Sequence, residues 1–262
     1  MQVTINQKPY PYYPYHDSED VALEDFDNDG DLDILFVTED DKINEFYIND
    51  GKGNFIDKTN TFPVTGVSNG VLTNDFDKDG WIDVVIANNG QNIYLKNDKG
   101  VFVDDTKNRL PIEEDISQDM QALDFDNDGD LDIIVANEKE NRLLLNNGKG
   151  TFTDSTYVYF DQSVLSDETR EATFADIDND GDYDIYFANV DMFQKVEPFQ
   201  RLLINNGKEE KLTEETKKRL GFTKEFSIID ATFSDLDADG DVDLIVLTDV
   251  VGNIATTWKI FN

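Results

Sequence analysis

Asp25-Phe-Asp-Asn-Asp-Gly-Asp-Leu-Asp33 is the first of five copies of one acidic pattern, Asp-x-Asp-x-Asp-Gly-x-x-Asp. The others begin at Asp75, Asp124, Asp176 and Asp235, at intervals of 50, 49, 52 and 59 residues. Four carboxylates within nine residues repel one another unless a cation sits among them. Positions 1, 3 and 5 can turn inward as the chain curls, Gly at position 6 permits the bend, and position 9 closes the shell. Position 7 offers its backbone carbonyl, so its side chain is free to vary. Six or seven hard oxygen ligands suit Ca²⁺ better than Mg²⁺ or a transition metal.

An EF-hand loop also starts with alternating Asp and carries Gly at position 6, but it needs Glu at position 12. Here that position holds Phe36, Ile86, Val135, Phe187 and Val246, and β-branched or aromatic runs flank each loop in place of amphipathic helices. EF-hands are excluded.

Hydrophobic content of 39% with 11% aromatics is enough for a core, in spite of a net charge of −35. Twenty of the 57 acidic residues are the loop carboxylates at positions 1, 3, 5 and 9, and five Ca²⁺ would still leave −25. That field repels nucleic acid and anionic membranes. There is no cysteine, hence no disulfide framework and no thiol chemistry. No segment reads as a transmembrane helix, and residues 1–6 lack the apolar core of a signal peptide. Loops of this kind fill where calcium is millimolar, so the expectation is a secreted or cell-surface protein whose leader lies outside this sequence.

The repetition extends beyond the loops. A strand precedes each one, as in Val21-Ala-Leu-Glu and Ala172-Thr-Phe-Ala, and an apolar four-residue run follows, as in Ile34-Leu-Phe-Val and Ile133-Ile-Val-Ala. A run apolar on both faces predicts a strand covered on both sides. A third strand comes next, then an Asn-Gly or Asp-Gly hairpin such as Asn49-Asp-Gly-Lys-Gly53, then a fourth strand. Four antiparallel strands recurring every ~50 residues match a β-propeller blade. The fold class expected is all-β: one propeller domain over 1–262, of five four-stranded blades. The repeats fall near 19–66, 67–115, 116–168, 169–225 and 226–262. The fifth has three strands, ending in Ile254-Ala-Thr-Thr-Trp-Lys-Ile, and residues 2–6 have no partner nearby. Strand 2–6 is therefore expected to close the ring and cover an edge. A fragment of a seven-bladed ring is the alternative.

These loops, the apolar strand after each, and the Asn-x-Gly-x-Gly-x-Phe hairpins resemble the FG-GAP/VCBS repeat family, also found in integrin α chains. The resemblance covers about 19–262, and the absence of literal Phe-Gly and Gly-Ala-Pro triplets makes the bacterial VCBS type the nearer one. It implies Ca²⁺ on one face of the disk, about five ions, each held at positions 1, 3, 5, 7 and 9. In the first two loops these are Asp25, Asp27, Asp29, Asp31 and Asp33, then Asp75, Asp77, Asp79, Trp81 and Asp83. In the third and fourth they are Asp124, Asp126, Asp128, Asp130 and Asp132, then Asp176, Asp178, Asp180, Asp182 and Asp184. The fifth has Asp235, Asp237, Asp239, Asp241 and Asp243. Lys78 replaces Asn at a non-ligand position. The family implies adhesion, ligand binding or carbohydrate-related roles, with no single activity.

A ligand face is expected opposite the loops. Aromatics gather at Tyr13, Tyr15 and His16 before the first blade, and at Tyr157, Tyr159 and Phe160 before the fourth, within an insertion from Ser155 to Arg170. Five residues before each loop stand Asp20, Gly70, Asp119, Glu171 and Asp230. If the first strands line a channel, these carboxylates ring its mouth beside Arg170, where crowding would raise a pKa or hold a further cation. One histidine and no cysteine cannot build a Ser-His-Asp triad or a zinc cluster. Two readings follow: a monomeric, non-catalytic binding module for carbohydrate or a protein partner, or a carbohydrate lyase or hydrolase using the channel carboxylates or Tyr15 and His16. Only five arginines argue against acidic polysaccharides, and the binding module is favoured.

Overall fold

The computed structural model describes residues 18–39, 43–64, 67–192, 198–207, 211–221, 226–248 and the strand 257–261. The expected closing strand 2–6, with Tyr13, Tyr15 and His16, lies outside the described residues.

The chain is all-β, built from antiparallel sheets in which sequence neighbours pair. The first repeat contributes β1 (Ser18–Glu24), β2 (Asp33–Thr38), β3 (Glu45–Asn49) and β4 (Phe55–Asp57). The second has β5 (Ser68–Asn74), β6 (Asp83–Gly90), β7 (Ile93–Asn97) and β8 (Phe102–Asp104). The third has β9 (Asp115–Leu123), β10 (Asp132–Asn137), β11 (Arg142–Asn146) and β12 (Phe152–Asp154). The fourth has β13 (Thr169–Ala175), β14 (Asp184–Asn189), β15 (Arg201–Ile204) and β16 (Thr213–Glu214). The fifth shows β17 (Ile228–Ser234), β18 (Asp243–Thr248) and β19 (Thr257–Phe261) among the described residues. The β6 strand outruns its counterparts, and its end pairs with the start of β9 through Asn89–Ile116 and Gly90–Asp115.

Contacts divide the chain into two compact units: Met1–Ser117 with Asn147–Phe152, and Gln118–Asn146 with Thr153–Asn262. In the first, the sheets of the first two repeats enclose Leu35, Val37, Val84, Ile86 and Leu95. Phe26, Phe46 and Phe102 meet edge to face there, with ring centroids 5.4–5.6 Å apart. In the second unit, one core joins Phe125, Ile134, Phe160 and Phe187, and another joins Tyr186, Leu202, Leu244 and Val246. Every residue of β10 and β14 is buried, as a run apolar on both faces requires.

Each fourth strand leads into a feature the sequence pattern does not announce. A single helical turn follows: α1 (Thr106–Arg109), α2 (Thr156–Tyr159) and α3 (Thr216–Arg219), with a 3₁₀ turn at Thr59–Thr61 in the first repeat. Its first threonine accepts a third-strand backbone N–H, from Phe46 to Thr59, Tyr94 to Thr106, Leu143 to Thr156 and Leu202 to Thr216. The acidic residue two before it accepts the threonine's own N–H, as Asp104 does at 3.1 Å. The turn thus satisfies backbone donors that a two-residue-shorter edge would leave open. No helix among the described residues is long and apolar enough to cross a membrane.

Candidate metal centre

Each acidic loop joins a first strand to a second, and one hydrogen-bond scheme recurs in all five. The position 1 carboxylate accepts the N–H groups of positions 5 and 6: Asp29 and Gly30 donate to Asp25 at 3.0 and 2.9 Å, and Asp239 and Gly240 to Asp235 at 3.2 and 3.1 Å. Asp79, Asp128 and Asp180 do the same on Asp75, Asp124 and Asp176. Position 6 glycines lie at φ +86 to +98° in the first four loops and +99° in the fifth, where a Cβ would strain the bend. Position 4 is left-handed as well, at Asn28, Lys78, Asn127, Asn179 and Ala238. Asparagine tolerates that region best, and Asn28 also donates 3.1 Å to the Gly80 carbonyl of the next loop.

Position 9 anchors the loop to its sheet. Asp33 accepts Phe26 N–H at 3.0 Å and Asn49 N–H at 2.8 Å, and Asp83, Asp132 and Asp184 accept in the same way from Asn97, Asn146 and Asn205. Burial, with nearby carboxylates adding to it, pushes Asp33, Asp83 and Asp184 up to about 6 and Asp132 to about 7, against the lowering effect of these bonds. Asp27 and Asp237 are raised too, by burial first and then by the charges of Asp29 and Asp239. In the second loop Asp79 is lowered: burial works to raise it, and the bonds from Lys96 and Trp81 N–H outweigh that.

The carboxylates converge. One oxygen from each of Asp25, Asp27 and Asp29 lies within 4.8 Å of the others, and so do those of Asp75, Asp77 and Asp79 and of Asp235, Asp237 and Asp239. In the third and fourth loops the trio is Asp124, Asp126 and Asp132, and Asp176, Asp178 and Asp184. Two oxygens bound to one Ca²⁺ at 2.3–2.6 Å are at most ~5 Å apart, so the spacing fits. Asp27 Oδ1 is buried with no hydrogen-bond donor, as a ligand oxygen awaiting a cation would be. Several such clusters can therefore hold metal ions. Asp31, Asp130, Asp182 and Asp241 stand at position 7 with Trp81, where Asp29 and Asp79 accept the N–H of Asp31 and Trp81.

The next repeat's hairpin covers a loop. Gly100 packs 3.5 Å from Asp27 Cβ when given a Cβ of its own, and a Cβ on Gly150 would fall 3.2 Å from Asp77 Cβ and 2.7 Å from Tyr94 Oη. Beside the third loop, Asn205 and Gly207 border a small cavity of about 160 Å³ with Phe125, Asp126, Asn127, Tyr159 and Asp182.

The raised position 9 carboxylates carry a pH signature. Their folded pKa values exceed 3.8, so they favour the fold fully below about pH 4 and lose that contribution as pH rises through about 6–7. In chelator, denaturation midpoints should be higher at pH 5 than at pH 8. In excess calcium the order should reverse, because ligands must be deprotonated to bind metal. Urea titrations at the two pH values, with and without chelator, check both halves.

The expected ligand face is only partly assembled. Tyr157 is half exposed, and its hydroxyl donates 2.7 Å to Glu140. Tyr159, two residues on, is instead buried edge to face on Phe125 at 4.9 Å, and Phe160 is buried against Phe187. The structure thus corrects the grouping of Tyr159 with a surface opposite the loops: it borders the third loop, because alternate residues of one helical turn face different ways. Arg170 lies 3.0 Å from buried Glu168 and 3.4 Å from Glu138. Glu171 is half-buried and Asp230 exposed. The positions at Asp20, Gly70, Glu171 and Asp230 follow a β-bulge in the first strand, a device that re-aims side chains. Asp20 is aimed at the neighbouring first strand, accepting Val71 N–H at 2.9 Å, and Asp119 accepts Ala172 N–H at 3.2 Å. Both carboxylates stitch adjacent strands.

The sequence model of the FG-GAP-like repeat matches twice, over residues 75–135 and 124–187. No curated protein matches the sequence significantly. Among solved structures, an Agrocybe aegerita lectin that recognises non-reducing terminal N-acetylglucosamine superposes with a TM-score of 0.55 at 16% identity, over 94% of this chain. The chain spans 66% of that lectin. The V. cholerae biofilm matrix protein Bap1 aligns at a TM-score of 0.49 and 15% identity, over 90% of this chain and 36% of its own. Residues 75–187 therefore carry FG-GAP-like repeats, on an all-β fold similar to that of the lectin.

Proposed function

We propose that the chain is a calcium-stabilised binding module, a five-bladed β-propeller closed by residues 2–6, acting outside the cell or at its surface on a carbohydrate or protein partner. The observation that carries the reading is the fivefold gathering of three carboxylate oxygens within 4.8 Å, each on the same hydrogen-bonded loop. Oxygen-only donors of that density select a hard cation, and Ca²⁺ accepts their flexible spacing. All five loops are candidate sites, at positions 1, 3, 5, 7 and 9. The FG-GAP-like match and the lectin fold support a recognition role over a catalytic one.

The ligand surface proposed is the strand end away from the loops, around Tyr157, Arg170, Glu171 and Asp230. A glycan array probed with calcium present identifies a carbohydrate ligand. With a hit in hand, Tyr157→Ala should weaken binding by ~1–3 kcal/mol, the scale of an aromatic anchor, with little change in melting temperature, since the ring is half exposed. Binding undiminished by Tyr157→Ala would remove this surface from the proposal.

A further inference from the structure

The second acidic loop differs from its siblings in what reaches its carboxylates. Lys96, on β7, places its ammonium on Asp77, and 2.8 Å from Asp79, the position 3 and position 5 carboxylates. Arg109, from α1, adds a guanidinium 3.1 Å from the same Asp77 oxygen. The position 9 carboxylate, Asp83, accepts from the buried Tyr94 hydroxyl as well as from Asn97 N–H. Three of the four loop carboxylates are thus engaged by side chains of their own repeat.

The first, third and fourth repeats do not reproduce this. Aligned on Asn49, Asn97, Asn146 and Asn205, at or just after the end of the first four third strands, Lys96 corresponds to Ile48, Leu145 and Ile204, and Tyr94 to Phe46, Leu143 and Leu202. Arg109 corresponds to Phe62, Tyr159 and Arg219, and Arg219 lies 3.0 Å from Asp178 of the fourth loop. The first and third repeats place only apolar or neutral groups at both positions.

We propose that Lys96 is a tethered cation that holds the second loop in place of a metal ion, with Arg109 supporting it. The inference rests on the reading of the loops as calcium sites and refines it: the loops at Asp25 and Asp124 bind most tightly, and the one at Asp75 is the weakest or is not filled. A tethered ammonium needs no free calcium, so this loop stays folded when the others have lost their ions. It also costs the loop its affinity, because Ca²⁺ must displace the ammonium before it meets Asp77 and Asp79. Asp77 Oδ1 is buried and has no donor even so.

The test counts bound calcium by equilibrium dialysis at about 0.1 mM free ion, near the tight limit of extracellular modules. Lys96→Ile, which installs the residue of the first repeat, should bind one more ion than the wild type. Its gain in affinity should be at least about tenfold, a small part of the attraction between unit charges at hydrogen-bond distance. Should Lys96→Ile not fold, two substitutions that keep Lys96 decide the matter: Asp25→Asn should lose one ion relative to the wild type, and Asp75→Asn should lose none. A wild type in which Asp75→Asn also loses an ion, or a Lys96→Ile protein with no added ion, overturns the tether while leaving the calcium reading intact. No calcium in any of these proteins overturns both.

Discussion

Chelating divalent cations should lower the melting temperature by tens of degrees, the largest effect expected of any single change of condition. Each loop confines at least four carboxylates, and Asp33, Asp83, Asp132 and Asp184 are additionally held where burial opposes their charge. An ion that binds only the folded loop adds about 2.7 kcal/mol when present at 100 times its dissociation constant. Three or four filled loops thus add on the order of 8–11 kcal/mol, comparable to the whole stability of a typical domain. At about 2–4 °C per kcal/mol for a chain of this size, the shift is roughly 20–40 °C. Calorimetry at low salt, with excess chelator and then with calcium restored, measures it. A curve unmoved by chelator would mean that the carboxylates are tolerated without a metal.

Asn97→Ala should be the most damaging point substitution outside the loops, at about 3–5 kcal/mol. Asn97 is fully buried at the end of β7. Its amide donates 2.9 Å to the Phe26 carbonyl of the first loop and 3.0 Å to the Ile82 carbonyl of the second, and its oxygen accepts Gly100 N–H at 2.8 Å. Truncation leaves the buried Phe26 carbonyl without its partner, at about 1–3 kcal/mol before relaxation, and deprives the partly buried Ile82 carbonyl and Gly100 N–H of theirs at a smaller cost. Asn49, the equivalent in the first repeat, is only partly buried and donates to Leu32, so Asn49→Ala should cost about half as much. Chemical denaturation of both variants in saturating calcium provides the comparison.

Local chemistry made the loops and most strands legible. Asp-x-Asp-x-Asp-Gly is recognisable because ligand geometry and the left-handed bend are both written within nine residues, and the Asn-Gly hairpins within five. The helical turns were not legible: four residues such as Thr106–Arg109 are too few for a 3.6-residue periodicity to register. Asp20 and Asp119 read as a carboxylate rim because the N–H groups they accept belong to Val71 and Ala172, some fifty residues on. Nothing local marks Lys96 for the same reason, since its partners lie 17 and 19 residues earlier in the chain. Tyr159 shows the opposite error. An aromatic in a connection is ambiguous between anchor and platform, and only packing on Phe125 decides it. Position 4 reads as a non-ligand position, and in the structure Asn28 there spans from one loop to the next.

The overlap of hairpin and loop gives the chain a direction. Gly100 closes over Asp27 and Gly150 over Asp77, so a loop is finished by residues synthesised well after it. As the polypeptide leaves the ribosome, the first loop can gather its carboxylates but acquires its cover only when the second hairpin has emerged. Assembly is then vectorial, each repeat completing its predecessor. A substitution at Gly150 should be felt first not in the third loop, which is its neighbour in sequence, but in the second.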